Sequence, residues 1–267
     1  MFHLSFIVID RLSSFVSEEE FRRVLEYLKG VGYEGAELNL TEPPGIDLDR
    51  LEGWLADTGL VVPSFLTGEA YREGLCLSSP DLSGRKKTVD RLIGYLDTAQ
   101  RFDAVLVVGL LQGLRSDEPD PRVANDRIVE CLREVAAAAE DKEVKIVIEP
   151  VNHLQVGFNN SVREVCTLIE RVGSRAVKPM VDTIHMNIEE SSLVQPILDL
   201  GSELRHVHLC ESNGSTFGSG HIDFAVVWKA LLGIDYRHFA SVKIYRGNSL
   251  QEAARSAIGY LRSLPGN

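Results

Sequence analysis

Several features that identify other classes of protein are scarce in this chain. Only 4 of its 267 residues are cysteines, and they are scattered with no C-x-x-C pair. This argues against a disulfide framework or a structural zinc site and is typical of reduced thiols in the cytoplasm. The apolar run near the start is too short to span a membrane, and it lacks the basic segment and the cleavage site of a signal peptide. We therefore expect a cytoplasmic protein with no membrane partner.

Positive charge is also scarce. The chain has 28 Lys and Arg against 39 Asp and Glu, which gives a net charge of −11. A nucleic-acid surface needs a basic stripe, so we expect no nucleic-acid partner. No linker, low-complexity tract or sign of a second domain interrupts the sequence, and the acidity is explained by solubility.

Short apolar runs alternate with helix-forming stretches along the whole chain. The eight runs are "HLSFIVI", "YEGAELN", "LVVPSFL", "AVLVVGL", "VKIVIE", "AVKPMVD", "LRHVHLC" and "FASVKIY". Most are continuously apolar, as strands of a parallel sheet covered by helices are. Eight strand–helix units, in a chain close to the length of about 250 residues typical of this fold, predict a single (β/α)8 TIM barrel over residues 1–267.

Capping signals mark the ends of several predicted helices. The capping-box spacing Ser-x-x-Glu occurs at three serines: Ser17, Ser161 and Ser249. Asp223 is placed to cap a helix that begins at Phe224. Helix ends are expected at three glycines: Gly30, Gly173 and Gly201.

Polar residues close three consecutive predicted strands. Glu149 ends "VKIVIE", Asp182 ends "VKPMVD" and His208 lies near the end of "LRHVHLC". The carboxyl ends of barrel strands meet at one rim, which is where the active site of this fold lies. Two carboxylates and an imidazole there are suitable ligands for a divalent metal, and the alternative is a set of salt bridges to Lys or Arg.

Three further residues near these strand ends allow more than one interpretation. His206 faces the same side as His208 by strand alternation, so only one of the two need be a ligand. His185, three residues after Asp182, either orients a loop or contacts a substrate hydroxyl. Lys243 stands in the eighth run, where a fourth acid would complete the ring of ligands.

Seven segments that span most of the chain carry a resemblance to a known family. They are "TGEAYREGLCLSSPD", "VVGLLQG", "IEPVNH", "NNSVREV", "VDTIHMNIEE", "VHLCESN" and "GSGHIDF". The chain resembles the xylose-isomerase-like barrels of the sugar phosphate isomerase/epimerase group, and most of all the ketose 3-epimerases related to D-tagatose 3-epimerase. The resemblance implies that Glu149, Asp182 and His208 bind one divalent metal (Mn, Co, Mg or Zn). Its fourth ligand, a glutamate in the family, falls on Lys243, so we expect the metal to be weakly bound or lost.

The resemblance also implies the reaction. It predicts a metal-dependent isomerase or epimerase that acts on a sugar, a sugar acid or a sugar phosphate by proton transfer next to a carbonyl. Glu149 and Lys243 are then the expected catalytic residues, because the family places its two proton-transfer glutamates there. The expected substrate-binding residues are His185, Gln155, Glu211 and Arg246. Gln155 replaces a frequent glutamate of the family, and Gly214 replaces a usual arginine.

Lys243 leaves several alternatives open. Its ammonium could take the place of the metal between Glu149 and Asp182, or it could clamp an anionic substrate group together with Arg246. It could also simply reach solvent. The alternative functions are a lyase or aldolase-like enzyme that uses Lys243, and a non-catalytic sugar-binding relative. We reject DNA repair, which in this fold needs histidines on the earlier strands, and we expect a homo-oligomer.

Overall fold

Eight parallel strands close into a barrel in the computed structural model, which describes residues 2–9, 15, 17–42, 44–45, 47–247 and 249–264. The strands are β1 (His3–Val8), β2 (Gly35–Asn39), β3 (Ser64–Leu66), β4 (Val105–Val108), β5 (Ile146–Ile148), β6 (Val177–Asp182), β7 (His206–Leu209) and β8 (Phe239–Val242). Each pairs with the next, and β8 pairs with β1. The predicted (β/α)8 barrel is confirmed, and every strand lies within the run predicted for it.

The described residues form ten α-helices around this barrel. They are α1 (Glu18–Val31), α2 (Leu48–Thr58), α3 (Gly68–Arg72), α4 (Leu82–Arg101), α5 (Pro121–Asp141), α6 (Val162–Val172), α7 (Thr183–Glu189), α8 (Gln195–Leu200), α9 (Phe224–Gly233) and α10 (Leu250–Arg262). Two short 3-10 turns cover Leu110–Gln112 and Gly201–Glu203. Within the described part of the chain, none of the helices has the length and apolar composition needed to cross a membrane.

The helix ends follow the predicted capping signals with one exception. All three predicted serines accept a hydrogen bond from the backbone N–H three residues later, and Asp223 caps α9. Gly173 and Gly201 follow the last residues of α6 and α8. The predicted end of α1 at Gly30 is wrong, because the helix continues to Val31 and ends at Gly32. Gly32 has a φ of 107°, which glycine adopts at little cost, and its N–H returns to the Leu28 and Lys29 carbonyls.

Side chains alternate between the two faces of each strand. The inward side chains differ in polarity between the two sides of the barrel. Outward residues such as Phe6, Leu38 and Val207 join the large apolar core beneath the helices. Inward residues of β4, β5 and β6 form a small apolar cluster: Val105, Val107, Val147 and Met180. Inward residues of β1, β2, β3, β7 and β8 include six that are polar and buried: Ser5, Glu37, Ser64, His206, His208 and Ser241. Buried polar groups need hydrogen-bond partners, and these groups find them in one another just below the rim.

Candidate active site

A cavity of about 400 Å³ opens at the C-terminal rim of the barrel. This volume is within the range of small-molecule sites. Its apolar wall comes from Ile7, Ile9, Leu66, Val107, Leu110 and Val151, and its polar lining includes Asn39, Glu149, Gln155, His185, His208, Lys243 and Tyr245. Most of the residues singled out from the sequence therefore meet in one place.

The three predicted metal ligands converge beside this cavity. The register of β6 and β7 pairs Asp182 with His208, and Glu149 directly follows the last residue of β5. His208 Nδ1 lies 3.0 Å from Glu149 Oε1 and 3.5 Å from Asp182 Oδ2. One ligand atom from each residue lies within 4.8 Å of the others, and all three residues are buried. The arrangement can hold a cation.

Gly109 makes room for the carboxylate of Glu149. A Cβ built at position 109 would lie 2.5 Å from Glu149 Oε2, which is closer than real side chains approach. The backbone N–H of Glu149 also donates to the carbonyl of Val108, just before this glycine. The end of β4 therefore fixes the direction in which Glu149 enters the site.

The ammonium of Lys243 lies inside the site. Its Nζ is 2.7 Å from Asp182 Oδ2 and 3.4 Å from Glu149 Oε1, and its side chain is only 20% exposed. Burial alone would lower the pKa of Lys243, but the two carboxylates raise it well above its ordinary value. Burial would likewise raise the pKa of Glu149, but Lys243 and His208 lower it to about 2. Lys243 is therefore not a solvated surface lysine.

Sequence reasoning missed Glu37, which lies on β2 and is completely buried. Its carboxylate accepts hydrogen bonds from His206 Nε2 at 3.0 Å and from His208 Nε2 at 2.9 Å. Because a carboxylate only accepts, His208 donates from Nε2 to Glu37, and by the same rule it donates from Nδ1 to Glu149 at 3.0 Å. Burial lowers the pKa of His208, but Glu37, Asp182 and Glu149 raise it well above its ordinary value, so the ring is protonated on both nitrogens. Such a carboxylate behind a metal-binding histidine is a common means of orienting the ring. The available signal was an acid on the inward face of an otherwise apolar strand.

These residues fit a divalent metal with two competitors. Two carboxylates and an imidazole suit manganese, cobalt or zinc, and Glu37 already orients the imidazole. The Lys243 ammonium lies on one oxygen of each carboxylate, and a proton lies on His208 Nδ1, which faces Glu149. An ion can therefore bind all three residues only if Lys243 moves away and His208 gives up this proton.

The other predicted substrate-binding residues are dispersed. His185 and Gln155 line the cavity. Glu211 is buried, and its carboxylate accepts the backbone N–H groups of Ser212, Gly218 and Ile222, so it organises the loop after β7.

The predicted clamp residue Arg246 does not reach the cavity lining. It is exposed, and the guanidinium that lies at the cavity belongs to Arg72 of α3. Arg72 is paired with Glu69 at 2.9 Å. The clamp role of Arg246 stays a prediction, and Arg72 is a second arginine close to the cavity.

Tyr245 occupies the space beside Gly214, where the family resemblance implies an arginine. A Cβ at position 214 would lie 2.3 Å from Cε2 of the tyrosine ring, and Gly214 has a φ of 71°. The Gly214 carbonyl accepts the N–H groups of both Tyr245 and Arg246, which joins the loops after β7 and β8. The glycine and the tyrosine therefore form one packing unit at the edge of the cavity.

Comparison with known proteins identifies a family with the same barrel fold. The family described as "Xylose isomerase-like TIM barrel" matches residues 25–264. The D-psicose 3-epimerase of Enterocloster bolteae is 28% identical over 230 residues, which cover 82% of this chain and 74% of that protein. The L-ribulose 3-epimerase of Mesorhizobium japonicum is 27% identical over 93% of this chain and 83% of its own length.

A solved structure shows the same fold. The crystal structure of D-allulose 3-epimerase from Methylomonas sp. superposes with a TM-score of 0.84 at 22% identity, covering 98% of this chain and 97% of that one. Together the matches confirm the predicted resemblance to ketose 3-epimerases and the predicted enzyme class, an isomerase or epimerase.

Proposed function

The chain belongs to the xylose isomerase-like TIM barrel family, and from this premise we propose that it is a metal-dependent sugar isomerase or epimerase that transfers a proton next to a carbonyl. The observation that supports the proposal most is the convergence of Glu149, Asp182 and His208 at the rim beside a cavity of about 400 Å³. The names of the relatives make a ketose, such as D-psicose or L-ribulose, the first substrate to test.

We propose that Glu149 is the base. Its low pKa leaves it ionised at neutral pH, and it lines the cavity where a substrate carbon would lie. A bound divalent ion would polarise the carbonyl and acidify the neighbouring C–H. Apolar side chains such as Val107 and Val151 form one wall of the cavity, and a wall of low polarity strengthens the electrostatic interactions beside it.

Lys243 is the proposed partner of Glu149 in proton transfer. Once it is displaced from Asp182, its ammonium can donate a proton or a hydrogen bond to the substrate. A Schiff-base role is disfavoured, because Asp182 and Glu149 hold the amine protonated and a protonated amine is a poor nucleophile. This ion pairing favours the epimerase over the aldolase-like alternative.

The proposal is tested by proton exchange. Purified protein is stripped with a chelator, reloaded separately with Mn, Co, Mg or Zn, and incubated in D2O with D-psicose, L-ribulose or D-tagatose. NMR should show deuterium entering the carbon beside the carbonyl, together with a new epimer or isomer. The Glu149→Gln variant should lose both signals, while the surface variant Lys86→Met should keep them. A folded wild-type protein that exchanges no proton on any ketose with any of these metals would refute the proposal.

We also retain the expectation of a homo-oligomer. Light scattering coupled to size-exclusion chromatography measures it directly, and a mass equal to the 29.6 kDa monomer would contradict it.

A further inference from the structure

Asn152 forms a hydrogen bond with His185. Its Nδ2 lies 2.7 Å from His185 Nδ1, and both residues are buried, with exposures of 1% and 2%. Asn152 follows β5 in the same loop as Gln155, whereas His185 belongs to α7, after β6. The contact therefore joins the segments that follow β5 and β6, and it involves His185, which lines the cavity.

The orientation of the Asn152 amide is fixed by a second hydrogen bond. The backbone N–H of Leu154 donates to Asn152 Oδ1 at 3.1 Å. A backbone N–H can only donate, so the atom facing it must be the amide oxygen and the atom facing His185 must be the NH2 group.

This orientation determines the tautomer of His185. An NH2 group only donates, so Nδ1 must accept and carries no proton. The proton of the neutral ring then lies on Nε2. A proton on Nδ1 would place two donors against each other at 2.7 Å in a buried contact.

The Nε2–H of His185 is directed toward the reaction site. Nε2 lies 3.8 Å from Glu149 Oε1 and 3.8 Å from Asp182 Oδ2, and both distances exceed a hydrogen bond. His185 also lines the cavity. A substrate oxygen placed there would meet a neutral N–H donor and not a basic nitrogen.

We propose that Asn152 is a positioning residue that holds His185 as the Nε2–H tautomer, so that His185 donates a hydrogen bond to a sugar oxygen and serves neither as a base nor as a metal ligand. The substrate half of this inference rests on the proposed function. The tautomer half rests only on the three hydrogen-bonding groups of Asn152, Leu154 and His185.

The test inverts the polarity of one hydrogen bond. In Asn152→Asp the carboxylate has nearly the same shape and still accepts from Leu154, but it now accepts from His185 Nδ1 as well. The proton is drawn to Nδ1, and Nε2 loses its donor role or the ring becomes charged. Asn152→Ala removes the partner without reversing it and serves as the matched variant.

Two measurements separate this role from a purely structural one. Long-range 1H–15N NMR distinguishes protonated from unprotonated ring nitrogens, and His185→Gln assigns the signal among the 7 histidines. Wild-type protein should show a protonated Nε2 and an unprotonated Nδ1, and Asn152→Asp should show a protonated Nδ1. On D-psicose, or whichever ketose is turned over, Asn152→Asp should lose about 10- to 100-fold in kcat/KM, as expected for one lost hydrogen bond to a buried site, and more than Asn152→Ala loses.

The outcomes are distinct. A protonated Nδ1 in wild-type His185 overturns the inference, whatever the activity. Wild-type kinetics in a folded Asn152→Asp variant whose His185 Nε2 is unprotonated by NMR also overturn it. A wild-type protein with the expected tautomer but no turnover of any ketose overturns the proposed function and the substrate half of the inference, and it supports the positioning role of Asn152.

Discussion

Replacing Lys243 with methionine should make the protein bind divalent metal more tightly. The ammonium is 2.7 Å from Asp182 Oδ2 and 3.4 Å from Glu149 Oε1, so it occupies the side of both carboxylates that a cation needs. Methionine keeps the length of the side chain and removes the charge. The metal then no longer has to displace an ion pair before it binds.

The size of the effect follows from the contact that is broken. A hydrogen bond to a charged group contributes about 1.5–3 kcal/mol. Since about 1.4 kcal/mol corresponds to tenfold in affinity, removing the competitor should lower the Kd for Mn2+ about 10- to 150-fold. The lower end is expected, because the displaced ammonium of the wild type regains water. Lys243→Glu, which adds a fourth ligand and the third anionic one, should bind more tightly still.

The same variant should be less stable without metal. With Lys243 absent, Asp182 and Glu149 are left buried with less compensating charge, and breaking such a buried pair typically costs about 3–5 kcal/mol. Metal-free Lys243→Met should therefore melt at a lower temperature than metal-free wild type, and Mn2+ should raise its Tm by a larger amount than it raises the Tm of wild type.

Isothermal titration calorimetry of chelator-treated protein with Mn2+ measures the affinity, and differential scanning calorimetry measures the Tm. Lys86→Met is the matched control, because Lys86 is exposed, pairs with Asp90 and Glu134, and does not line the cavity. Unchanged or weaker Mn2+ binding in Lys243→Met, with a normal control, would show that the ammonium does not compete with the ion.

Three further predictions follow from the same structure. Glu37→Gln should weaken Mn2+ binding about 10- to 100-fold in calorimetry, because an amide accepts a weaker hydrogen bond from His208 Nε2–H than a carboxylate does. An unchanged Kd would refute the role of Glu37 in orienting His208. Ser161→Ala removes the capping box of α6 and should lower the free energy of unfolding by about 1 kcal/mol in urea denaturation, whereas a loss near zero would contradict the cap. Ellman's reagent at pH 8 should react with four thiols in unfolded protein but rapidly with at most one, Cys166, in native protein. The other three cysteines are buried, and burial raises the pKa of Cys131 to about 11. More than one rapidly reacting thiol in native protein would contradict this prediction.

The strands and most helix ends could be predicted because they depend on local physics. A parallel strand covered by helices is usually apolar on both faces, and "VLVV" and "IVI" have this pattern. Capping depends on three or four neighbouring residues. The error at Gly30 arose because two glycines, Gly30 and Gly32, stand at the end of α1, and only the backbone φ of 107° at Gly32 shows which of them makes the left-handed turn.

Site residues could be predicted from the sequence only where a polar residue stands at the end of an apolar strand. Glu149, Asp182 and His208 stand at the ends of their strands, and the fold brings such ends together. Glu37 was missed because its partners His206 and His208 are on β7, about 170 residues later, and barrel closure alone makes them neighbours. The exposure of a loop side chain, such as that of Arg246, depends on tertiary packing that no local spacing encodes.

The packing of Tyr245 against Gly214 gives any redesign of this cavity a preferred order of steps. Installing an arginine at position 214 first would drive its Cβ to 2.3 Å from the tyrosine ring and impose a φ of 71° on a residue with a side chain. Shortening Tyr245 first removes the clash and leaves only the backbone cost. The two substitutions should therefore be strongly non-additive, since they share one contact. An arginine at position 214 should therefore be tolerated better after Tyr245 has been shortened than before.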